Sequence, residues 1–275
     1  MSDDQTNVII FSFNRPMQLH ACLESFYEHF KSDAKPTVTV IWKASTEEFQ
    51  KGYALAAETF TKGEHLDWVE EDNFQVQVRH AVNNSTSQFT MFLVDDIIFV
   101  NDVSTSDKQF NFVRSSEHML ALSLRLHGGI TQCYATNEPS AIPTFTKGVA
   151  WIWSQCEGDW GYPMSVDGNV YTTELIKRFL TRGAFTNPNT FEVMLDTCSK
   201  LPGTPPYLCC YPEGPKLINI PANRVQDQYK NRFAEGLTPE EMNELYLSGK
   251  TIDTAVFAGV KPSTVHVPLT FSFKE

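Results

Sequence analysis

Short apolar runs alternate along the chain with longer stretches in which apolar residues recur at helical spacing. Asn7-Val8-Ile9-Ile10-Phe11-Ser12-Phe13 reads as a buried strand. Asn14-Arg15-Pro16 punctuates it, and Leu19, Cys22, Leu23, Phe26 and Phe30 then mark one face of a helix with Pro16 in its first turn. The pattern predicts a second strand over 37–42, a helix over 47–60, a third strand over 66–69 and a helix over 74–82. Phe89-Thr90-Met91-Phe92-Leu93-Val94 is the strongest strand signal, and it runs directly into Asp95-Asp96. Strand and helix alternate throughout this half, which predicts βαβ units and a mostly parallel sheet.

The middle of the chain is less regular. Residues 119–126 read as a helix, 148–153 as a strand, and Glu157-Gly158-Asp159-Trp160-Gly161-Tyr162-Pro163 as a loop. Tyr171, Leu175, Ile176 and Phe179 mark one face of a further helix, and another starts over 190–195. Residues 202–215 hold five prolines and two glycines, which predicts no regular structure there. Thr238-Pro239-Glu240-Glu241 is a capping box with proline in the first turn, and Gly249 is the expected stop. No internal repeat or low-complexity segment interrupts the chain, so one domain with a C-terminal extension is expected.

Composition narrows the class of protein. Of 275 residues 41% are hydrophobic and 20% charged, with 20 Phe, 9 Tyr and 5 Trp, a globular composition. The net charge of −11 disfavours a partner such as duplex nucleic acid, whose phosphates need Lys and Arg. No run approaches the roughly 20 apolar residues of a membrane span, and Met1-Ser2-Asp3-Asp4-Gln5 is too polar for a signal peptide. The expectation is a cytoplasmic protein without a transmembrane anchor, with peripheral association at a membrane left open. The six cysteines show no metal-ligand spacing.

Asp95-Asp96 is the first candidate for chemistry. Ligands of open parallel sheets bind beyond the carboxyl ends of the strands. Two acids there repel unless something positive neutralises them, and a magnesium or manganese ion shared with substrate phosphates would do so. The competing reading is a strand-end turn with solvated or helix-capping acids.

Val8-Ile9-Ile10-Phe11-Ser12-Phe13-Asn14-Arg15-Pro16, a helix, a second strand and then Phe92-Leu93-Val94-Asp95-Asp96 resemble, in order and spacing, the nucleotide-sugar-dependent glycosyltransferases of the GT-A fold (family 2-like). The resemblance implies an α/β, Rossmann-like, mostly parallel sheet flanked by helices, with a C-terminal helical extension. It implies a single domain over 1–275, with the nucleotide-binding half ending near residue 100 and the acceptor and catalytic half following. It also implies a hexosyl- or pentosyltransferase that passes a sugar from a nucleotide-sugar donor to a glycan, lipid-linked or protein hydroxyl, with Mn2+ or Mg2+ and inversion.

Residue by residue, Ser12, Asn14, Arg15 and Arg79 would contact the nucleotide-sugar, and Asp95 and Asp96 would hold the metal at its diphosphate. His80 follows Arg79 where the family commonly has Asn, and Ile97 makes the metal motif Asp-Asp-Ile rather than Asp-X-Asp. The second strand lacks the acid that many members place against the base; Trp42 could stack there instead, or pack in the core. Asp167 is the candidate base, with helix capping as the alternative reading and Asp159 or Glu157 as substitutes. Trp160 or Tyr162 could stack on a sugar face, and tight-turn packing is the other reading. His266 matches a C-terminal histidine that serves as a metal or phosphate ligand in many members, and is otherwise structural. Arg125 could touch phosphate or lie solvated on its helix, and Arg224 with Asp227 could form a helix-start ion pair. Three rival functions remain at this point: a non-catalytic nucleotide- or carbohydrate-binding module on a transferase scaffold, a sugar nucleotidyltransferase, whose glycine-rich loop is missing after the first strand, and a metal-dependent hydrolase or nuclease, which would need further acids beside the paired aspartates.

Overall fold

The computed structural model describes residues 5–60, 65–221 and 237–275. The first half follows the apolar pattern closely. β1 (Thr6–Phe13) leads into α1 (Pro16–His29), and the short β2 (Phe30–Lys31) precedes β3 (Thr37–Lys43) and α2 (Glu47–Phe60). β4 (Leu66–Glu70), α3 (Phe74–Asn83) and β5 (Phe89–Val94) follow. Asn73 caps α3, its side chain accepting from the Val76 amide.

Past Asp95-Asp96 come β6 (Ile97–Phe99), β7 (Val103–Ser104), α4 (Lys108–Ser115) and β8 (Met119–Ser123). β9 (Ala150–Ile152), β10 (Asn169–Thr172), α5 (Thr173–Leu180), α6 (Pro188–Ser199), β11 (Tyr207–Cys209) and β12 (Leu217–Asn219) complete the middle. The C-terminal part holds α7 (Pro239–Leu247), β13 (Thr251–Ile252) and β14 (Phe273–Lys274).

Eight strands form one sheet in the order β4-β3-β1-β5-β10-β8-β11-β9. The β4-β3-β1-β5 half is parallel, and β10 enters antiparallel to both β5 and β8. Alternate residues of β1 feed opposite faces, as a strand buried on both sides requires. Ile9 and Phe11 pack with Phe74, Val78, Ile176 and Phe191, whereas Val8 and Ile10 pack with Leu19, Leu23 and Phe26. A third cluster joins Met17, Ala21 and Ala56 to Met242 and Tyr246, so α7 lies against α1 and α2. Gly52 permits that approach: a Cβ there would meet Asn243 Oδ1 at 2.2 Å.

Several elements differ from the sequence expectation, among them the strand β10, which takes Tyr171 out of the expected helix and leaves α5 to begin at Thr173. Residues 119–123 form a central strand instead of a helix, because every residue from Met119 to Ser123 is buried between β10 and β11. Leu, Met and Ala favour helices locally, and burial on both faces overrides that preference. The proline-rich 202–215 segment contains β11, whose Tyr207-Leu208-Cys209 falls between prolines and pairs with β8 and β9. Among its described residues the C-terminal extension contributes α7 and the β13–β14 pair. No helix among the described residues is long and apolar enough to cross a membrane, and all six cysteines are free thiols.

Candidate active site

The carboxyl ends of the parallel strands β1 and β5 lie side by side, in register from Thr6 opposite Phe89 to Phe11 opposite Val94. That register brings Ser12 to Arg15 against Asp95 and Asp96. Asp95 is buried, and both its oxygens are engaged. Oδ1 accepts from Arg15 at 3.1 Å, and Oδ2 accepts from the Ser12 hydroxyl at 2.9 Å and the Phe13 amide at 3.2 Å. Asp96 Oδ2 takes a second bond from the same Arg15 nitrogen at 3.2 Å, and its Oδ1 accepts from Asn219 at 2.8 Å. Burial pushes both carboxyls above the usual range. For Asp96 the neighbouring Asp95 and Asp167 add to this, Arg15 opposes it, and the value reaches about 7.

Asn219 connects this end of the sheet to the C-terminal segment. It closes β12, which pairs antiparallel with β6 immediately after the two aspartates, and its backbone bridges to His266. Since the Asn219 amide nitrogen donates to Asp96, its Oδ1 faces His266 Nδ1 at 2.8 Å. Nδ1 therefore carries the proton, and Nε2 offers a lone pair toward Arg125 at 3.4 Å. Burial and Arg125 depress the imidazole to about 4, against an opposing pull from Asp167, so the ring is neutral at pH 7. The Tyr134 ring lies 4.5 Å from it.

Arg125 follows β8 rather than sitting on a helix, and it is buried. Its guanidinium holds Asp167 Oδ2 at 2.6 Å and the Ser165 hydroxyl at 3.0 Å. Asp167 does not cap a helix: Gly168 and the strand β10 separate it from α5. Gly168 has φ +85°, and a Cβ there would lie 2.5 Å from Leu217 Cδ2. Gly168→Ala is thus expected to cost about 1–3 kcal/mol, read as an earlier urea midpoint, because both the backbone and Leu217 must shift. Beside Asp167, Glu192 on α6 accepts the Val166 amide at 2.9 Å and shares a hydrogen bond with Tyr162.

Other expected site residues lie elsewhere or are otherwise occupied. Trp160 has no exposed surface, and its indole nitrogen donates to the Ile130 carbonyl at 3.2 Å, so it cannot stack on a sugar. Arg79 donates to the carbonyls of Leu180 and Gly183 at 3.1 and 3.0 Å, which ties α3 to the end of α5 and leaves its guanidinium away from the strand ends. Asn14, at φ +56°, has both ends of its amide engaged with Ser45 at 2.8 Å and so fixes the turn after β3. Trp42 packs on Tyr53 at 4.7 Å between ring centres. Asp159 accepts the Tyr134 amide at 3.0 Å, and Glu157 is exposed. Arg224 and Asp227 lie outside the described residues.

Sequence reasoning passed over Tyr53, whose hydroxyl lies 2.7 Å from Ser12 Oγ and accepts the Arg15 amide at 3.1 Å. It also gave no role to Asn219 or Ser165, and it placed Glu192 within a helix starting over 190–195. Those roles depend on contacts across 26 to 123 positions, and only the flanking position of Glu192 beside the apolar stripe of α6 hinted at one.

The donor set bears on the question of a metal. Among the described residues no three His, Cys, Asp or Glu side chains form a group that could hold one. The linked cluster nevertheless sets Asp95, Asp96, Asp167 and Glu192 against only Arg15 and Arg125, with His266 neutral. Asp96 and His266 share Asn219, and the proton on Nδ1 is the arrangement that orients a histidine toward a metal through Nε2. One carboxylate and one imidazole joined through Asn219 could hold a divalent ion only if its remaining ligands came from outside the protein.

No protein-family model matches the chain. It is 25% identical over 279 residues to the bifunctional glycosyltransferase pgtA of Dictyostelium discoideum, across 90% of this chain and 36% of that protein. The chain therefore spans about a third of the length of that curated relative. S. aureus TarS, solved as its 1–349 fragment in complex with UDP, superposes with a TM-score of 0.50 at 14% identity, covering 78% of this chain and 59% of that one. The chain thus shares the mixed α/β fold of TarS and is similar in sequence over most of its length to a glycosyltransferase.

Proposed function

We propose that this protein transfers a sugar from a nucleotide-sugar donor to an acceptor hydroxyl, with a divalent ion and with inversion at the anomeric carbon. The observation that carries the reading is the continuous buried network from Arg15 through Asp95, Asp96, Asn219 and His266 to Arg125 and Asp167 at the carboxyl end of the sheet. Such a network joins a place for a diphosphate to a carboxylate suited to take a proton.

Asp96 and His266 would hold the ion, with Asp95 orienting Arg15 beside them. When bound, the ion supplies Lewis-acid stabilisation of the leaving diphosphate. Arg15 is placed to share negative charge between the aspartates and an incoming phosphate. Asp167, held by Arg125, accepts the acceptor's hydroxyl proton as the new oxygen–carbon bond forms. The bond from the anomeric carbon to the diphosphate oxygen breaks, and its electron pair leaves with the nucleotide. One such displacement inverts the centre. The dry, charged surroundings strengthen each of these interactions relative to water.

UDP is the first ligand to test, because the fold neighbour was solved with it. UDP together with Mn2+ is expected to raise the melting temperature beyond the sum of their separate effects, since ligands of the native state stabilise it by mass action. Asp96→Ala is expected to remove that synergy and to abolish Mn2+-dependent turnover of the donor. Metal-independent binding of nucleotide without turnover of any nucleotide sugar would favour the binding-module reading instead.

A further inference from the structure

We infer that Tyr53 is a positioning residue for the donor, its hydroxyl holding the 12–15 turn so that Arg15 is presented to the diphosphate; the inference rests on the glycosyltransferase reading of that site. A chain of polar atoms runs from the turn to the strand-end acid. The Arg15 amide donates to the Tyr53 hydroxyl oxygen at 3.1 Å, that oxygen lies 2.7 Å from Ser12 Oγ, and Ser12 Oγ donates to Asp95 Oδ2 at 2.9 Å. A serine has one hydroxyl proton, and here it goes to the carboxylate, so Tyr53 must donate to Ser12. Burial, aided by the charge of Asp95, raises the phenol above its ordinary range and keeps that proton in place. The hydroxyl therefore has one orientation, and it serves the backbone and a side chain of the turn at once.

The sequence places this group 38 positions beyond Arg15. Tyr53 projects from α2, whose buried face comprises Phe49, Gly52, Tyr53 and Ala56. Its ring packs on Trp42, and α7 steadies the helix, because Asn243 donates to the Glu48 carbonyl at 2.9 Å. The turn is thus gripped from two sides. Ser45, after β3, engages both ends of the Asn14 amide, and Tyr53 holds the next residue, Arg15. Arg15 is the N-cap of α1, and from that backbone position its guanidinium reaches both Asp95 and Asp96. A cation whose direction is set beforehand gives up less freedom when it meets a phosphate. Without the hydroxyl the backbone of the turn gains freedom, and the guanidinium it carries loses its fixed direction.

Tyr53→Phe tests this on the whole protein, since it deletes the hydroxyl and keeps the ring that packs on Trp42. In the free variant, amide hydrogen exchange is expected to quicken about tenfold more at Arg15 than at Ile10, in the middle of β1. Equal acceleration at both places, or none at Arg15, would overturn the inference, because a general loss of stability acts on the two alike. Calorimetric titration with UDP in the presence of Mn2+ is expected to show binding about tenfold weaker than in the wild type, the size of one buried hydrogen bond. Wild-type affinity for UDP in the variant would also overturn it. In an Arg15→Met background the same change is expected to weaken UDP by less than about twofold, because the side chain it positions is gone. The full loss in that background would mean that Tyr53 acts by another route, and the inference fails. If Arg15→Met does not fold, the exchange and affinity of Tyr53→Phe decide. If the wild type binds no nucleoside diphosphate, the glycosyltransferase reading fails, and the exchange measurement alone decides whether Tyr53 holds the turn.

Discussion

Asp167→Asn is expected to lower sugar transfer by about 10²- to 10⁴-fold, the usual contribution of a positioned general base, while donor binding is retained. The substitution keeps the shape of the side chain, and its amide oxygen can still accept from Arg125, which bonds Asp167 at 2.6 Å. What it removes is the capacity to take a proton. Steady-state transfer assays with nucleotide release as readout, alongside calorimetric titration with the donor, separate the two effects. Unchanged donor affinity with collapsed kcat fits the base role. A variant that transfers at the wild-type rate would remove Asp167 from the chemistry and make Glu192, the acid across the same segment, the group to examine next.

Arg15→Met carries the largest expected effect on stability, a loss of about 3–5 kcal/mol, because it removes the shared partner of two enclosed carboxylates. The Arg15 and Asp96 side chains are 11% and 12% exposed and Asp95 is 5% exposed, so water can screen the orphaned charges only weakly. Methionine fills much of the volume of the stem, which confines the loss mainly to charge. Both carboxyls already lie above the range of an unfolded chain, and removing Arg15 raises them further. An acid with a raised folded-state value favours folding below its unfolded value and loses that contribution as pH rises through the interval. The deficit should therefore grow as pH rises through about 7, where Asp96 ionises in the wild type but stays protonated longer in the variant, and shrink below about pH 7 as the folded carboxyls of both proteins take up protons. Urea melts of both proteins on both sides of that pH check the prediction, and a pH-independent difference would assign the loss to packing.

The parallel half of the sheet was legible because each of its strands is an apolar run closed by polar residues or turn signals, and each helix shows its stripe. Val8, Ile10, Phe92 and Leu93 have no exposed surface in elements whose bounds agree with the sequence reading within a residue or two. The strand at Met119–Ser123 was not legible, since its Leu and Met content is shared by helices and only its neighbours decide its state. At the candidate site, Asp95 and Asp96 stood out as acids at a strand end, and the family resemblance pointed to Asp167 and His266. Their connections did not stand out. Arg125, Asn219 and Glu192 act through partners distant in the chain, and an arginine, an asparagine or a glutamate carries no local sign of such a partner. Trp160 shows the reverse failure: an aromatic in a glycine-rich turn looks available to a sugar, yet its ring packs at 4.9 Å from Trp151, inside the core.

The seam formed by Asn219 and His266 has a consequence for biosynthesis. The chain leaves the ribosome from its N-terminus, so β1, β3 and β5 can pair while residues 266 and 267 are still to be made. Val267 must then dock on Asn219, with its amide 2.8 Å from the Asn219 carbonyl, before the imidazole can reach its place. Docking of the His266 segment therefore follows synthesis of the strands it closes upon, and a nascent chain halted before residue 266 would lack the imidazole that faces Asn219.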